Sequence, residues 1–68
     1  MCLLKVYVED EETDRKLVAQ DVAFVSIEGE TVKLRDVEFE EKTLANVDII
    51  SIDALSSILI LKKRKSNI

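Results

Sequence analysis

Short runs of apolar residues, separated by polar clusters, divide the chain into segments of the length typical of β-strands. Residues 2–8 read CLLKVYV, which is rich in the β-branched and aromatic residues that favour strands. Comparable runs predict further strands at residues 16–27, 47–52 and 58–61. In the first of these further strands, Gln20 and Asp21 interrupt the apolar pattern. The pattern therefore predicts a small protein built from strands.

Polar clusters between these runs predict the turns. The clearest hairpin signal is Glu28-Gly29-Glu30, because glycine adopts a positive φ angle at little cost. Residues 9–14 are too highly charged to be buried and are expected to form a second turn. A third, polar bend is expected at residues 53–57.

The apolar face of the chain changes side near residues 35–36. Val32 and Leu34 share one parity, whereas Val37 and Phe39 share the other. A shift of one residue moves every side chain of a strand to the opposite face of the sheet. We therefore predict a turn or a β-bulge at this point.

The fold class that fits this pattern is all-β. A helix over residues 54–65 is the main alternative, since leucine, alanine and lysine favour helix. The run Ser57-Ile58-Leu59-Ile60-Leu61 lacks a helical stripe, however, and favours a buried strand. We predict a small SH3-like barrel of five to six short antiparallel strands, which would leave few exposed sheet edges. Residues 1–61 would form this single domain, and residues 62–68 a basic, flexible C-terminal tail.

The two ends of the domain carry more apolar surface than one core face can bury. Residues 2–4 and 58–61 are apolar at consecutive positions, as in strands that are covered on both sides. The cover would come either from a second copy, through a two-fold interface, or from a loop of the same chain. A homodimer through the N- and C-terminal strands is therefore one expectation.

Length and composition limit the classes of protein to which the chain can belong. Its 68 residues have room for one domain. No apolar run approaches the roughly 20 residues that cross a bilayer, and the first residues lack the pattern of a signal peptide. A single cysteine excludes an internal disulfide. We therefore expect a cytoplasmic protein with no membrane partner.

The residues needed for conventional side-chain catalysis are missing from the sequence. There is no histidine, which excludes the Ser/His/Asp and Cys/His arrangements. The chain has one glycine, so it contains no glycine-rich loop that could cradle a phosphate. The carboxylates fall in turns or alternate with apolar residues, where nothing shifts their pKa toward catalytic use. We predict that the protein is not an enzyme and that any chemistry centres on Cys2.

The charges are unevenly distributed along a chain with a net charge of −4. The acidic residues of 9–14 could bind Mg²⁺ or Ca²⁺ weakly, but they lack the spacing and the glycine of a calcium loop, so a solvated turn is the simpler interpretation. The positive charge is concentrated in four consecutive residues: Lys62, Lys63, Arg64 and Lys65. A solubilising tail is the simpler interpretation for these four.

An alternative function would use that basic run to bind RNA. Small β-barrels bind single strands when aromatic side chains form stacking platforms. The chain has only three aromatic residues: Tyr7, Phe24 and Phe39. Three aromatic residues could stack few bases, and nucleic acid is therefore not the partner that we expect.

Cys2 combines a thiolate with nearby backbone nitrogen donors. If Met1 is removed, the amine and thiolate of Cys2 can chelate one metal ion; if Met1 stays, its amine, the Cys2 amide nitrogen and the thiolate can do so. Nitrogen and thiolate donors in a tetragonal plane suit Ni(II) and Cu(II). Two chains that meet at their N-termini would supply four such donors. The alternative is that Cys2 is a small buried apolar side chain.

The opening Met1-Cys2-Leu3-Leu4-Lys5-Val6, the pair Asp21-Val22, the hairpin Glu28-Gly29-Glu30 and the final aliphatic strand resemble the CooT family. These are small nickel-binding accessory proteins of carbon monoxide dehydrogenase maturation, and the resemblance extends over about residues 1–61. It implies a barrel-like β fold, Ni(II) held through Cys2, and a partner among nickel-requiring enzymes such as carbon monoxide dehydrogenase or their maturation proteins. The acidic run 9–14 and the basic run at the C-terminus depart from the family pattern.

Overall fold

The computed structural model describes residues 3–12 and 14–64, and it confirms the all-β prediction. The strands are β1 (Leu4–Glu9), β2 (Lys16–Glu28), β3 (Thr31–Asp36), β4 (Glu41–Ala45), β5 (Val47–Asp53) and β6 (Ile58–Lys63). Residues 54–57, where the alternative helix would begin, form a turn. Strand β6 continues two residues beyond residue 61, where the sequence analysis placed the end of the domain. In the described parts of the chain no helix is long and apolar enough to cross a membrane.

The six strands form one sheet in the order β4-β3-β2-β1-β6-β5. Four of the five pairings are antiparallel, as predicted, but β1 and β6 pair in parallel. A parallel pair needs a long connection, and these two strands are separated by the rest of the domain. The expectation of purely antiparallel strands is therefore wrong at this one pairing.

The sheet is not closed into a barrel by hydrogen bonds between β4 and β5. These edge strands are consecutive in the chain and meet at Asn46, whose φ of 58° is a left-handed conformation that asparagine tolerates. The Asn46 N–H donates to the Glu30 carbonyl at 3.0 Å, and its carbonyl accepts from the Arg64 N–H at 2.7 Å. The chain itself thus joins the two edges of the sheet at one corner.

Three local irregularities fall where the pattern predicts them. Gly29, with φ of 61°, follows β2 directly, and Glu28 pairs with Thr31. In β2 the register against β1 shifts between the pairs Leu4–Val22 and Val6–Ala19, which places a bulge at residues 20–21. Strand β3 ends at Asp36 in a turn, which is the change of face predicted near residues 35–36.

One apolar cluster, with members from five of the six strands, forms the core. Its buried members are Val6, Val22, Val32, Leu34, Val47, Leu59 and Leu61. Within β6, Ile60 is also buried, with 7% exposure in the single chain, although it alternates with the core residues Leu59 and Leu61. Its partners across the sheet are Tyr7 on β1 and Ser51 on β5. The two-sided burial predicted for β6 is therefore reached without a second copy.

Candidate functional site

Met1 and Cys2, the predicted metal-binding residues, lie outside the described residues, as does Lys65. The structure describes the chain from Leu3 onward. Leu4 begins β1, pairs with Val22 on β2 and packs against the core cluster. Strand β1 lies between β2 and β6, so Leu4 is in a central strand of the sheet and not in an edge strand.

An apolar groove opens where β1 begins. It is lined by Leu4, Val25, Ile27, Ile49, Ile52 and Leu59, which belong to four different strands. Ile27 and Ile52 keep 61% and 64% of their surface exposed, whereas Leu59 is buried. The hydrophobic core therefore reaches the surface two residues away from Cys2 in sequence. Contiguous exposed apolar surface of this kind is typical of interaction sites.

The first two residues of the predicted basic tail, at positions 62 and 63, are part of the sheet. Lys62 and Lys63 are the last two residues of β6, and Lys62 lies in register with two acidic residues, Glu9 on β1 and Asp48 on β5. Arg64 follows directly and binds two carboxylates. Of the three cations that the structure describes here, Arg64 is thus paired with acidic groups and Lys62 lies in register with two of them, whereas Lys63 lies opposite Val47.

Arg64 forms the most extensive side-chain network that the structure describes. Its guanidinium binds both carboxylate oxygens of Asp48, with Nε 3.2 Å from Oδ2, and it also donates to Glu30 Oε1. The bond from Arg64 is the main reason why the pKa of Asp48 lies below its ordinary value, and the same bond raises the pKa of Arg64. Together with the backbone bond to Asn46, this network fixes the corner between β4 and β5.

Replacing Arg64 by glutamine is expected to reduce the acid sensitivity of folding. Because the pKa of Asp48 is lowered in the folded state, the stabilisation from this pair is present above the ordinary value of 3.8 and is lost as the pH falls below it. Melting temperatures measured between pH 7 and pH 2 should therefore decline less below pH 4 in Arg64→Gln than in wild type. The control is Lys33→Gln, which removes a longer ion pair to Glu28 at 3.8 Å. Parallel curves for wild type and Arg64→Gln would contradict this role.

The acidic run 9–14 connects β1 to β2, as the sequence predicts. Arg15 Nε donates to Glu9 Oε2 at 3.1 Å, and the Glu12 N–H donates to Asp10 Oδ1 at 3.2 Å. Thr13 lies outside the described residues. These contacts are those of a charged surface turn.

A second acidic turn, between β3 and β4, was not singled out by the sequence analysis. Asp36, Glu38 and Glu40 bring carboxylate oxygens within 4.8 Å of one another. Asp36 Oδ1 accepts hydrogen bonds from the N–H groups of Glu38 at 2.8 Å and Glu40 at 3.1 Å. The alternation of acidic and apolar residues from 36 to 40 was the available signal. In the structure Asp36 organises the backbone of this turn.

The three aromatic side chains are dispersed over the fold. Tyr7 lies on β1 and Phe24 on β2, where the Arg35 guanidinium lies 4.7 Å from the ring centroid of Phe24. Phe39 lies in the turn after β3. The three side chains thus belong to three different elements, and the ring of Phe24 is in contact with Arg35.

Comparison with known protein families gives one match for this chain. The family model for CooT, described as CO dehydrogenase accessory protein, matches residues 1–62 of the chain. The matched region includes Met1 and Cys2 and all but the last residue of β6. No curated protein matches the chain.

Proposed function

The chain belongs to the CooT family of CO dehydrogenase accessory proteins, and from this we propose that it holds Ni(II) through the Cys2 thiolate for maturation of carbon monoxide dehydrogenase. The nitrogen ligand is the Met1 amine or the amine or amide of Cys2. The protein acts as a metallochaperone-like carrier and not as an enzyme, with nickel as its cargo. The observation that carries this proposal is the family match, which covers the one cysteine of the chain.

The donor set of the chain supports this assignment. Cys2 is the only cysteine and there is no histidine, so a site with four soft or imidazole side-chain ligands cannot come from one chain. A thiolate with an adjacent backbone nitrogen is a donor pair that suits Ni(II) in a tetragonal plane. Since the same donors bind Cu(II) more tightly, selectivity has to come from metal availability.

A homodimer would supply the four ligands of a Ni(II) ion, and we include it in the proposal. Two chains joined near their N-termini would offer two thiolates and two nitrogens to one ion. The apolar groove beside Leu4 supports this arrangement, because Ile27 and Ile52 would lose exposed surface against a second copy. The interface would then lie at the N-terminal end of β1 and not along β6.

A titration with Ni(II), followed by ultraviolet absorbance, tests the proposal. We expect a sulfur-to-nickel charge-transfer band that saturates at one metal per two chains if the dimer shares the ion, or at one metal per chain if it does not. Sedimentation velocity with and without nickel measures the accompanying change in mass. A titration without such a band would contradict the proposed function.

The nickel proposal and the RNA-binding alternative predict opposite results in an RNA-binding experiment. Because Lys62 and Arg64 lie among acidic neighbours and the aromatic residues are dispersed, we expect no measurable binding of a fluorescent single-stranded RNA at physiological salt. Fluorescence anisotropy is the measurement. Binding that survives Cys2→Ala and disappears when Lys62 and Lys63 are changed to glutamine would favour the alternative.

A further inference from the structure

The turn at residues 37–40 presents an aromatic side chain to solvent. Phe39 is 81% exposed, against 46% for Phe24, whose ring also carries the guanidinium of Arg35. An exposed phenylalanine gains little of the free energy that its burial would give. Phenylalanine is also enriched in the buried centres of protein interfaces. Packing within the fold therefore does not account for a phenylalanine at position 39. A large apolar side chain of this kind is suited to anchor a protein interface.

The backbone at Phe39 is held in a conformation that disfavours this residue. Its φ angle is 66°, in the left-handed region, where a bulky side chain is strained. Two other turns place more tolerant residues at positive φ, with Gly29 at 61° and Asn46 at 58°, and a third has the smaller Ser57 at 58°. A glycine or an asparagine at position 39 would thus serve the turn better. The phenylalanine thus occupies this position against the local conformational preference.

Asp36 keeps this strained turn in one shape. Its carboxylate accepts the N–H groups of Glu38 and Glu40, and its own N–H donates to the Glu40 carbonyl at 3.0 Å. The Phe39 N–H in turn donates to the Asp36 carbonyl at 3.1 Å. Fixing the turn before binding reduces the entropy lost when a partner engages the side chain.

The surroundings of Phe39 are strongly negative. The carboxylates of Asp36, Glu38 and Glu40 lie close together, and Glu41 follows at the start of β4. The nearest cations in sequence are engaged elsewhere, since Arg35 lies over Phe24 and Lys42 Nζ donates to the Val18 carbonyl at 2.6 Å. An anionic lipid surface or a nucleic acid would be repelled by this turn. The complementary partner is a protein with an apolar pocket in a basic rim.

The turn begins level with Leu4, which follows Cys2 by two residues in the sequence. Val22 pairs with Leu4 on one side and with Asp36 on the other, so these three residues form one row across the sheet. At about 4.8 Å between strands, Leu4 and Asp36 are separated by roughly 10 Å. A partner that engages Phe39 would consequently lie near the start of β1 at Leu4.

We propose that Phe39, in its acidic turn, is the anchor through which this protein docks on a basic-rimmed apolar pocket of the nickel-accepting enzyme. This inference rests on the proposed function for the identity of the partner, carbon monoxide dehydrogenase. Docking at Phe39 brings the Cys2 site to the acceptor, while the metal ligands themselves are not used for recognition. Nickel binding and enzyme docking are thus assigned to different residues, and the docking turn follows the row that joins Leu4 to Asp36.

The test measures binding to purified, nickel-free carbon monoxide dehydrogenase by biolayer interferometry. We expect Phe39→Gly to raise the Kd at least tenfold, about the effect of truncating an interface anchor. The matched control is Leu55→Ala, which alters another exposed apolar side chain, 97% exposed, in the turn after β5 and is expected to change the Kd less than about twofold. Raising the salt concentration should weaken wild-type binding because the attraction is partly electrostatic.

Two further readouts on Phe39→Gly separate docking from folding and from metal binding. Relief of the positive φ angle is expected to raise the melting temperature by about 4 °C or more, and nickel titration should be unchanged. Equal affinity of Phe39→Gly and wild type for the enzyme would overturn the docking inference while leaving the nickel proposal intact. If the wild type does not bind the enzyme, the docking inference and its choice of partner are overturned. If the wild type shows no sulfur-to-nickel band, the nickel proposal alone is overturned.

Discussion

Replacing Cys2 by alanine is expected to abolish the nickel-dependent absorption band and to lower the affinity for Ni(II) by more than about 100-fold. Changes around a metal site that leave every ligand in place already cost about 10- to 100-fold, and this substitution removes the one thiolate of the chain. The remaining backbone nitrogens would bind only weakly on their own. Isothermal titration calorimetry and ultraviolet absorbance measure the two effects.

The matched control for this experiment is Cys2→Ser, which keeps the size of the side chain but replaces sulfur by a harder oxygen donor. We expect it to bind nickel weakly and without the sulfur-to-nickel band. Mass spectrometry of the purified wild type reports whether Met1 is present, and so which nitrogen accompanies the thiolate. An unchanged band in Cys2→Ala would show that nickel binds elsewhere and would end the proposal.

Replacing Leu61 by alanine is expected to destabilise the domain by about 3 kcal/mol, within the usual range of 2–5 kcal/mol for this substitution in a core. Leu61 has 0% exposure, belongs to the core cluster and pairs with Val8 on β1 and Ile49 on β5. The total stability of a domain this small is about 0.05–0.15 kcal/mol per residue, so the loss is a large fraction of it. Urea denaturation followed by circular dichroism measures the free energy of unfolding.

Leu55→Ala is the control for this prediction because it deletes the same atoms from a side chain that is 97% exposed. Its free energy of unfolding should stay within about 0.5 kcal/mol of wild type. Similar losses for the two variants would mean that β6 is not part of the core.

The two surfaces that we assign to function differ in how far the sequence revealed them. Cys2 is conspicuous in the sequence, because it is a lone thiol beside the start of the chain. In the sequence Phe39 stands out only for its parity and as one of three aromatic residues. The structure adds its positive φ angle and its exposure, and the pairing of β2 with both β1 and β3 places the neighbouring Asp36 level with Leu4.

Strand β4 shows the limit of pattern reading. Glu41–Ala45 has Leu44 as its only large apolar residue, and four of its five residues are exposed. An edge strand is hydrogen-bonded to one neighbouring strand only. Because most of its side chains are exposed, its sequence lacks the alternation of apolar and polar residues that would distinguish it from a loop. The strand forms because β3 offers a backbone ladder from Thr31 to Arg35, which is a property of the neighbour and not of the segment itself.

The sequence by itself determined the all-β class, the hairpin at Gly29, the break at residues 20–21, the change of face after β3 and the two-sided burial of β6. Each of these depends on the alternation of apolar residues or on the φ preference of a few neighbours, which are local properties. Only the tertiary structure decided the parallel pairing of β1 with β6, the join of the sheet edges at Asn46 and the capture of Arg64 by Asp48 and Glu30. These are contacts between residues far apart in the chain, and they are selected by the free energy of packing the whole core, to which no local pattern corresponds.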